Sequence, residues 1–331
     1  MLDTTSTASP DHLINRMEPA QLAKPQLWRL HIKPKPHNGV DPRDFCFDTH
    51  SVAGVGWAVD DGGLPVDWDR YNRLYAAQYA GDRSGKAATH ALHSVRVGDL
   101  IWSRDWHGVY YLGLVTSPWR YEIGKDYSDA DIVNVVGCEW LKVGSVDLVP
   151  GAVANALGYG RVMQRVSGNV ALAYSMYLIE KERKNESDAP WQPEQWPALP
   201  GGNDPFQLFS PDDCEDLVGL YLQDRGWVII PSSCKRSTAG YEFILYHRDL
   251  GEKAAVQVKH RKAILDVQNF LGLEADRVYL FATSGKYTGT PSSNMVCLTW
   301  EEMHAYLMER AIHLAPRLRL WVEIARELTG R

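Results

Sequence analysis

The sequence predicts a two-part α+β and α/β protein, in which a β-rich N-terminal part precedes an α/β part built on a small mixed sheet. Three observations carry this. Short runs of β-branched and aromatic residues recur through the first half, five prolines crowd into residues 190–205, and the chain beyond residue 210 mixes helical and strand patterns. A length of 331 residues suits two domains of roughly 100–200 residues each.

Residues 1–26, rich in Ser, Thr, Asp and Pro, read as a flexible leader. The runs WRLHI (28–32), SVAGVGWAV (51–59), DLIWSRD (99–105), GVYYLGLV (108–115) and IVNVVGCEWLKV (132–143) read as strands, because such residues fit a pleated, half-buried surface. Trp68, Tyr71, Leu74, Tyr75 and Gln78 fall at helical spacing, which predicts a helix over 67–79. Together these define a first domain over 27–183. Proline at the density found in 184–209 fits neither a helix interior nor a central strand, so this stretch reads as a semi-rigid linker.

The second domain, 210–331, opens on a helix signal: Ser210 as N-cap, Pro211 at the first position, then Asp212 and Asp213 at the positive end of the dipole. Cys214, Leu217, Val218, Tyr221 and Leu222 give that helix one apolar face. Strands are expected at 227–231, 241–246, 254–259 and 277–283, a helix near 264–271, and a closing helical segment over 300–328 broken or kinked at Pro316.

Composition narrows the function classes. With 35 basic against 41 acidic residues and a net charge of −6, an all-over basic nucleic-acid coat is excluded, although a local basic groove is not. The five cysteines are scattered without CxxC spacing, which argues against a zinc site or disulfide framework and predicts a reducing, cytoplasmic setting. No secretory h-region and no long apolar run occurs, so no membrane association is expected.

The stretch with chemical content is Glu215, Glu242, Gln257 and Lys259. Alternation in AAVQVK (254–259) sets Gln257 and Lys259 on one face and Val256 and Val258 on the other. Glu242, in the preceding strand, can meet Gln257 across a hairpin, and Glu215 can approach from the helix. Oxygens from Glu242, Gln257 and the carbonyl of residue 258 suit Mg²⁺ or Mn²⁺. A lysine beside such a cation can orient a water and steady the charge growing on a phosphate. Each of the four residues taken singly also fits a structural role.

A carboxylate followed by a strand carrying (D/E/Q)xK, behind a helical Glu, resembles the PD-(D/E)XK nuclease core. CEDLVGLYLQDRGW (214–227), STAGYEFIL (237–245), AVQVKH (255–260) and RVYLFATSGKYTG (277–289) resemble the motifs of its Mrr-like restriction endonucleases, in order, over about residues 210–300. The departure is Glu242, where that group usually carries Asp. The resemblance implies a metal-dependent endodeoxyribonuclease with Glu215, Glu242, Gln257 and Lys259 as catalytic residues. Glu242 and Gln257 would be the metal ligands. His260, Arg261 and Lys262, in the basic run KHRK, would meet the DNA backbone.

The N-terminal half resembles an EVE-like domain of the PUA superfamily, in the order SVAGVGWAV, VRVGDLIWSRD, YYLGLVTSPWRY, VNVVGCEWLKV. That implies a β-barrel-type reader of modified bases. A flipped base is held between aromatic rings with polar groups on its edge. Trp57, Trp102, Trp106, Tyr110 and Trp119 are the candidate walls, Arg104 and Asp105 the candidate hydrogen-bonding groups, and Arg120 a phosphate contact. The alternative for each aromatic is a place in the core. Seven of the 12 tryptophans precede residue 150, which suits either role.

The combined expectation is a restriction or defence endonuclease that recognises base-modified, double-stranded DNA and cuts it with Mg²⁺ or Mn²⁺, as a homodimer by analogy with related folds. Two rivals stand beside it: a non-catalytic modified-nucleic-acid binding protein with a degenerate nuclease fold, and a nuclease switched on by a nucleotide signal.

Overall fold

A computed structural model describes residues 24–32, 39–158, 160–186, 204–234, 240–260, 263–310 and 313–329. The leader up to residue 23, the proline-rich residues 187–203, and the candidates Arg261 and Lys262 lie outside them.

The N-terminal half runs β1 (Leu27–Leu30), α1 (Pro42–Asp44) with a π-helical continuation over Phe45–Thr49, β2 (Val52–Val55), α2 (Trp68–Gln78) and α3 (Arg83–His93). It continues with β3 (Leu100–Arg104), β4 (Tyr110–Tyr121), α4 (Lys125–Asp129), β5 (Asn134–Gly144), α5 (Gly151–Gly158), β6 (Met163–Arg165) and α6 (Asn169–Glu186). The strands form one sheet in the order β2-β5-β4-β3-β1-β6, antiparallel except for β1 beside β3. The expected barrel is an open sheet among the described residues. Its edges are two short strands, β2 and β6, and α3 touches both, so a helix rather than a ladder of hydrogen bonds spans the gap between them.

The C-terminal half runs α7 (Pro211–Gln223), β7 (Trp227–Ile229), β8 (Phe243–His247), β9 (Lys253–Lys259), β10 (Leu265–Asp266), β11 (Arg277–Ala282), β12 (Tyr287–Thr288), β13 (Met295–Leu298), α8 (Trp300–Glu309) and α9 (Pro316–Thr329). Its five-stranded sheet is ordered β13-β11-β9-β8-β7, with β7, β8 and β9 antiparallel and β9, β11 and β13 parallel. The whole is therefore a mixed α+β structure with several sheets.

One expectation is corrected here. Residues 264–271 form no α-helix: Asp266 accepts from Gln268 N and starts a short 3-10 turn after the β10 pairing with β12. The closing segment, expected to be broken or kinked at Pro316, is broken: α8 ends at Glu309 and Pro316 opens α9 at its first position, where the missing N–H costs nothing.

Both faces of the first sheet are covered. Trp28, Leu30, Ile101, Tyr111 and Val136 point into a core of their own. Leu27, Leu100, Trp102 and Leu112 point the other way, into a core continuous with α5, α6, α7, β8, β9, α8 and α9. The two halves thus share one hydrophobic interior. Phe206, Leu208 and Phe209, assigned to the linker from sequence, are buried within it. At Gly151 a side chain would strike the backbone of Phe209 and Ser210, so the halves meet there backbone to backbone.

Candidate functional site

Helix α7 begins with a capping box: the Ser210 hydroxyl accepts from Asp213 N (3.1 Å) and the Asp213 carboxylate accepts from Ser210 N (2.6 Å). Its apolar face packs onto β7 and β9, and Gly219 lets the helix sit within contact distance of Ile229 and Phe243. Glu215 lies at the border of that face, half-buried. In the β8–β9 ladder Phe243 faces Val256, which sets Glu242 beside Gln257. Glu242 lies one residue before β8, on a bend, with its N–H donating to the Val256 carbonyl at 2.7 Å.

The four residues converge at one end of the sheet. Gln257, only 5% exposed, donates its amide Nε2 to Glu242 Oε1 and to the Val258 carbonyl (3.1 Å). Lys259 Nζ stands 3.9 Å from Glu242 Oε1, its side chain half exposed. Burial, and then the negative charge of Glu242, push the Glu215 carboxyl up to about 7; Asp212 and Asp216 add to the rise and Lys259 opposes it. The site therefore holds more negative charge than its own lysine balances.

That arrangement fits a hard cation. The Glu242 carboxylate and the Val258 carbonyl already face one point from two sides, the point held by the Gln257 amide nitrogen. Turning that amide over would offer a third oxygen there, which three mutually repelling oxygens accept only around a cation. Among the described residues no group of three or more His, Cys, Asp and Glu is placed to hold a metal, so Gln257 and the main chain would have to complete any such set. His260, expected at the DNA backbone, turns its Nε2 to the Phe206 carbonyl at 3.1 Å.

The aromatic candidates of the N-terminal half do not form one cage. Trp102 and Tyr110 are core residues, because strand alternation turns both into the interior shared with the C-terminal half; the Trp102 indole N–H donates to Ser175 Oγ at 2.8 Å. Neither can be a pocket wall. Trp57 sits at φ 65°, and its indole N–H donates to Asp82 Oδ2 (2.9 Å), the residue that caps α3. Trp106 is 59% exposed and lies over the Arg43 guanidinium at 3.4 Å. Arg104 ends β3, partly buried, and Asp105 accepts from His107 N and Val109 N, which shapes the β3–β4 turn. Arg120 is engaged by Glu122 (2.5 Å) and donates to Ser117 Oγ (3.1 Å).

Trp119 is where a cavity forms. A recess of about 470 Å³ opens between the end of β4 and the start of α2, walled by Trp68, Trp119 and Tyr121 with Pro65, Val66 and Ile123, and edged by Asp67 and Arg120. The recess is open rather than enclosed. Trp68 stacks on His93 (3.8 Å) and meets Trp119 edge-on (5.0 Å). The Trp119 indole N–H is buried with no hydrogen-bond partner. Sequence reading missed Trp68 and Tyr121 as walls. Helical spacing assigned Trp68 to a core face, yet it directly follows the N-cap Asp67, and the first turn of a helix is where a ring can face an opening.

No family model matches the chain, and no curated protein does. Among solved structures, the YTH domain of Zygosaccharomyces rouxii MRB1 protein, in complex with N6-methyladenosine RNA, is similar over 48% of this chain and 86% of that one, at 10% identity and a TM-score of 0.27. A likeness that slight carries no argument about function. No helix among the described residues is long and apolar enough to cross a membrane.

Proposed function

We propose that this chain is a metal-dependent nuclease that hydrolyses DNA phosphodiesters at the Glu215, Glu242, Gln257 and Lys259 site, with the N-terminal half holding a base. The observation that carries it is the convergence of those four side chains at one end of the small mixed sheet. The order of α7, an antiparallel β7–β8–β9 meander and a parallel β11 supports the same reading, being what the PD-(D/E)XK resemblance implies.

Glu242, Gln257 and the Val258 carbonyl would hold Mg²⁺ or Mn²⁺. The cation would neutralise phosphate charge and acidify the attacking water. Lys259, half exposed, is free to reach a phosphate oxygen and steady its growing charge. Glu215, raised toward neutrality, is suited to take a proton from the water near physiological pH. The water oxygen bonds to phosphorus, the bond to the leaving sugar oxygen breaks, and that oxygen takes a proton from solvent. The Trp68–Trp119–Tyr121 recess would stack a flipped, modified base against its rings.

The test is incubation of modified and unmodified plasmids with Mg²⁺ or Mn²⁺, alongside Lys259→Ala. Cutting that the substitution abolishes supports hydrolysis at this site; uncut substrates in every condition overturn it. A second reading is a binding protein without hydrolysis, in which the hydrogen bonds from the Gln257 amide to the Glu242 carboxylate and the Val258 carbonyl are structural. Calorimetry with Mn²⁺ separates the two, because only the first requires a binding isotherm that Glu242→Gln removes.

A further inference from the structure

Arg317 occupies a place that its own helix disfavours. It is the second residue of α9, at the positive end of the helix dipole, where a cation is unfavourable. Its side chain is 17% exposed and spends its donors outside the helix. The guanidinium Nε pairs with Asp213 Oδ1 and Nη2 with Asp213 Oδ2 (3.1 Å), a two-pronged contact to a carboxylate that is itself 2% exposed. Nη1 donates to the Val146 carbonyl, Nη2 reaches the Val149 carbonyl at 3.5 Å, and Asp147 lies 3.8 Å away.

These partners come from both halves. Residues 146–149 are the exit from β5, the strand that crosses the N-terminal sheet beside β4 and its recess. Asp213 closes the capping box of α7, two residues ahead of Glu215. Gly151 then seats the backbone after that exit directly on Phe209 and Ser210, and its N–H donates to the Leu208 carbonyl at 3.0 Å. The first turn of α7 is thereby gripped from two sides, by the N-terminal half and by α9.

We propose that Arg317 is a positioning residue: it locks the first turn of α7, and with it Glu215, to the exit of β5, so that the N-terminal half keeps the hydrolytic site in register. The role rests on the hydrolase reading above. Groups that orient the residues around a metal typically govern affinity or rate by about 10- to 100-fold, and a small displacement of a reacting group costs rate more than binding.

The experiment uses the full chain with Arg317→Gln, Asp213→Asn and the two combined. It measures amide deuterium exchange over residues 212–216, Mn²⁺ affinity by calorimetry, and kcat and KM for plasmid nicking. Asparagine keeps an acceptor for Ser210 N, which guards against simple loss of the cap. In each single variant the 212–216 amides should exchange faster and kcat should fall about 10-fold with KM for DNA unchanged, while Mn²⁺ affinity should hold because Glu242, Gln257 and Val258 lie on or beside β8 and β9. The combined variant should be no worse than either, as expected of two ends of one contact. Unchanged exchange in Arg317→Gln overturns the clamp. Faster exchange with wild-type kcat overturns the positioning role, and so does a loss of Mn²⁺ affinity or a general rise in exchange across the C-terminal sheet. A wild-type protein that neither binds Mn²⁺ nor cuts brings down the hydrolase reading and the positioning of a catalytic group with it, a failure seen without any variant.

Discussion

The two candidate sites differ in how their residues assemble. At the end of the C-terminal sheet, four polar residues named from spacing stand together: Gln257 bonded to Glu242, Lys259 3.9 Å from it, and Glu215 feeling its charge. In the N-terminal half, the residues named from their aromatic character are scattered through two cores, a turn and one recess. A polar residue in an apolar strand has few ways to be satisfied, so its presence constrains its surroundings. An aromatic residue is at home in almost any packed place.

The contrast can be broken most forcefully at Trp102. Its burial predicts that Trp102→Ala lowers unfolding free energy by about 3–5 kcal/mol in urea titration. A variant of wild-type stability that has lost oligonucleotide binding would instead return Trp102 to a binding wall. At the other site, Lys259→Ala should cut the nicking rate by about 10²–10³-fold while leaving the urea midpoint nearly unmoved, since the side chain is half exposed. Trp119→Ala should weaken binding of base-modified oligonucleotides by about 1–3 kcal/mol, read by fluorescence anisotropy. Equal loss with unmodified strands would leave the recess as a stacking platform without selectivity.

The smallest effect concerns pH. The Glu215 carboxyl is raised from 4.5 to about 7 on folding, so the folded state holds its proton more tightly than the unfolded chain. The stability this gives is present below about 4.5 and is lost as pH rises through about 7. Glu215→Gln, which stays neutral, should therefore match the wild-type melting temperature at about pH 4 and exceed it at about pH 8. Parallel curves at both values would show Glu215 to be an ordinary solvated carboxylate.

What was legible in the sequence follows the same division. The strands β1 to β5 and β7 to β9 were visible because alternation and turn residues are local signals. Residues 170–177 of α6 (Asn169–Glu186) are all buried and apolar on every side but for Ser175, so they offer no amphipathic period to read. At 264–271 the period misled: Ile264 and Leu271 are exposed, and pairing of Leu265 with Tyr287 decides the local structure. The quartet was legible because a period of two fixes which side chains share a face, although the bend that carries Glu242 was not. The shared interior was not legible, since no strand pattern says which of two buried faces meets a distant helix.

That interior gives the chain an unusual relation to its own continuity. Leu27, Trp102 and Leu112 on one side and α7 and α9 on the other belong to a single apolar cluster, and Gly151 rests directly on Phe209 and Ser210. A protease cut between residues 186 and 204 should therefore yield two fragments that co-elute as a tight noncovalent pair. Genes encoding the two pieces separately should reconstitute the protein when expressed together, and each piece alone should be insoluble.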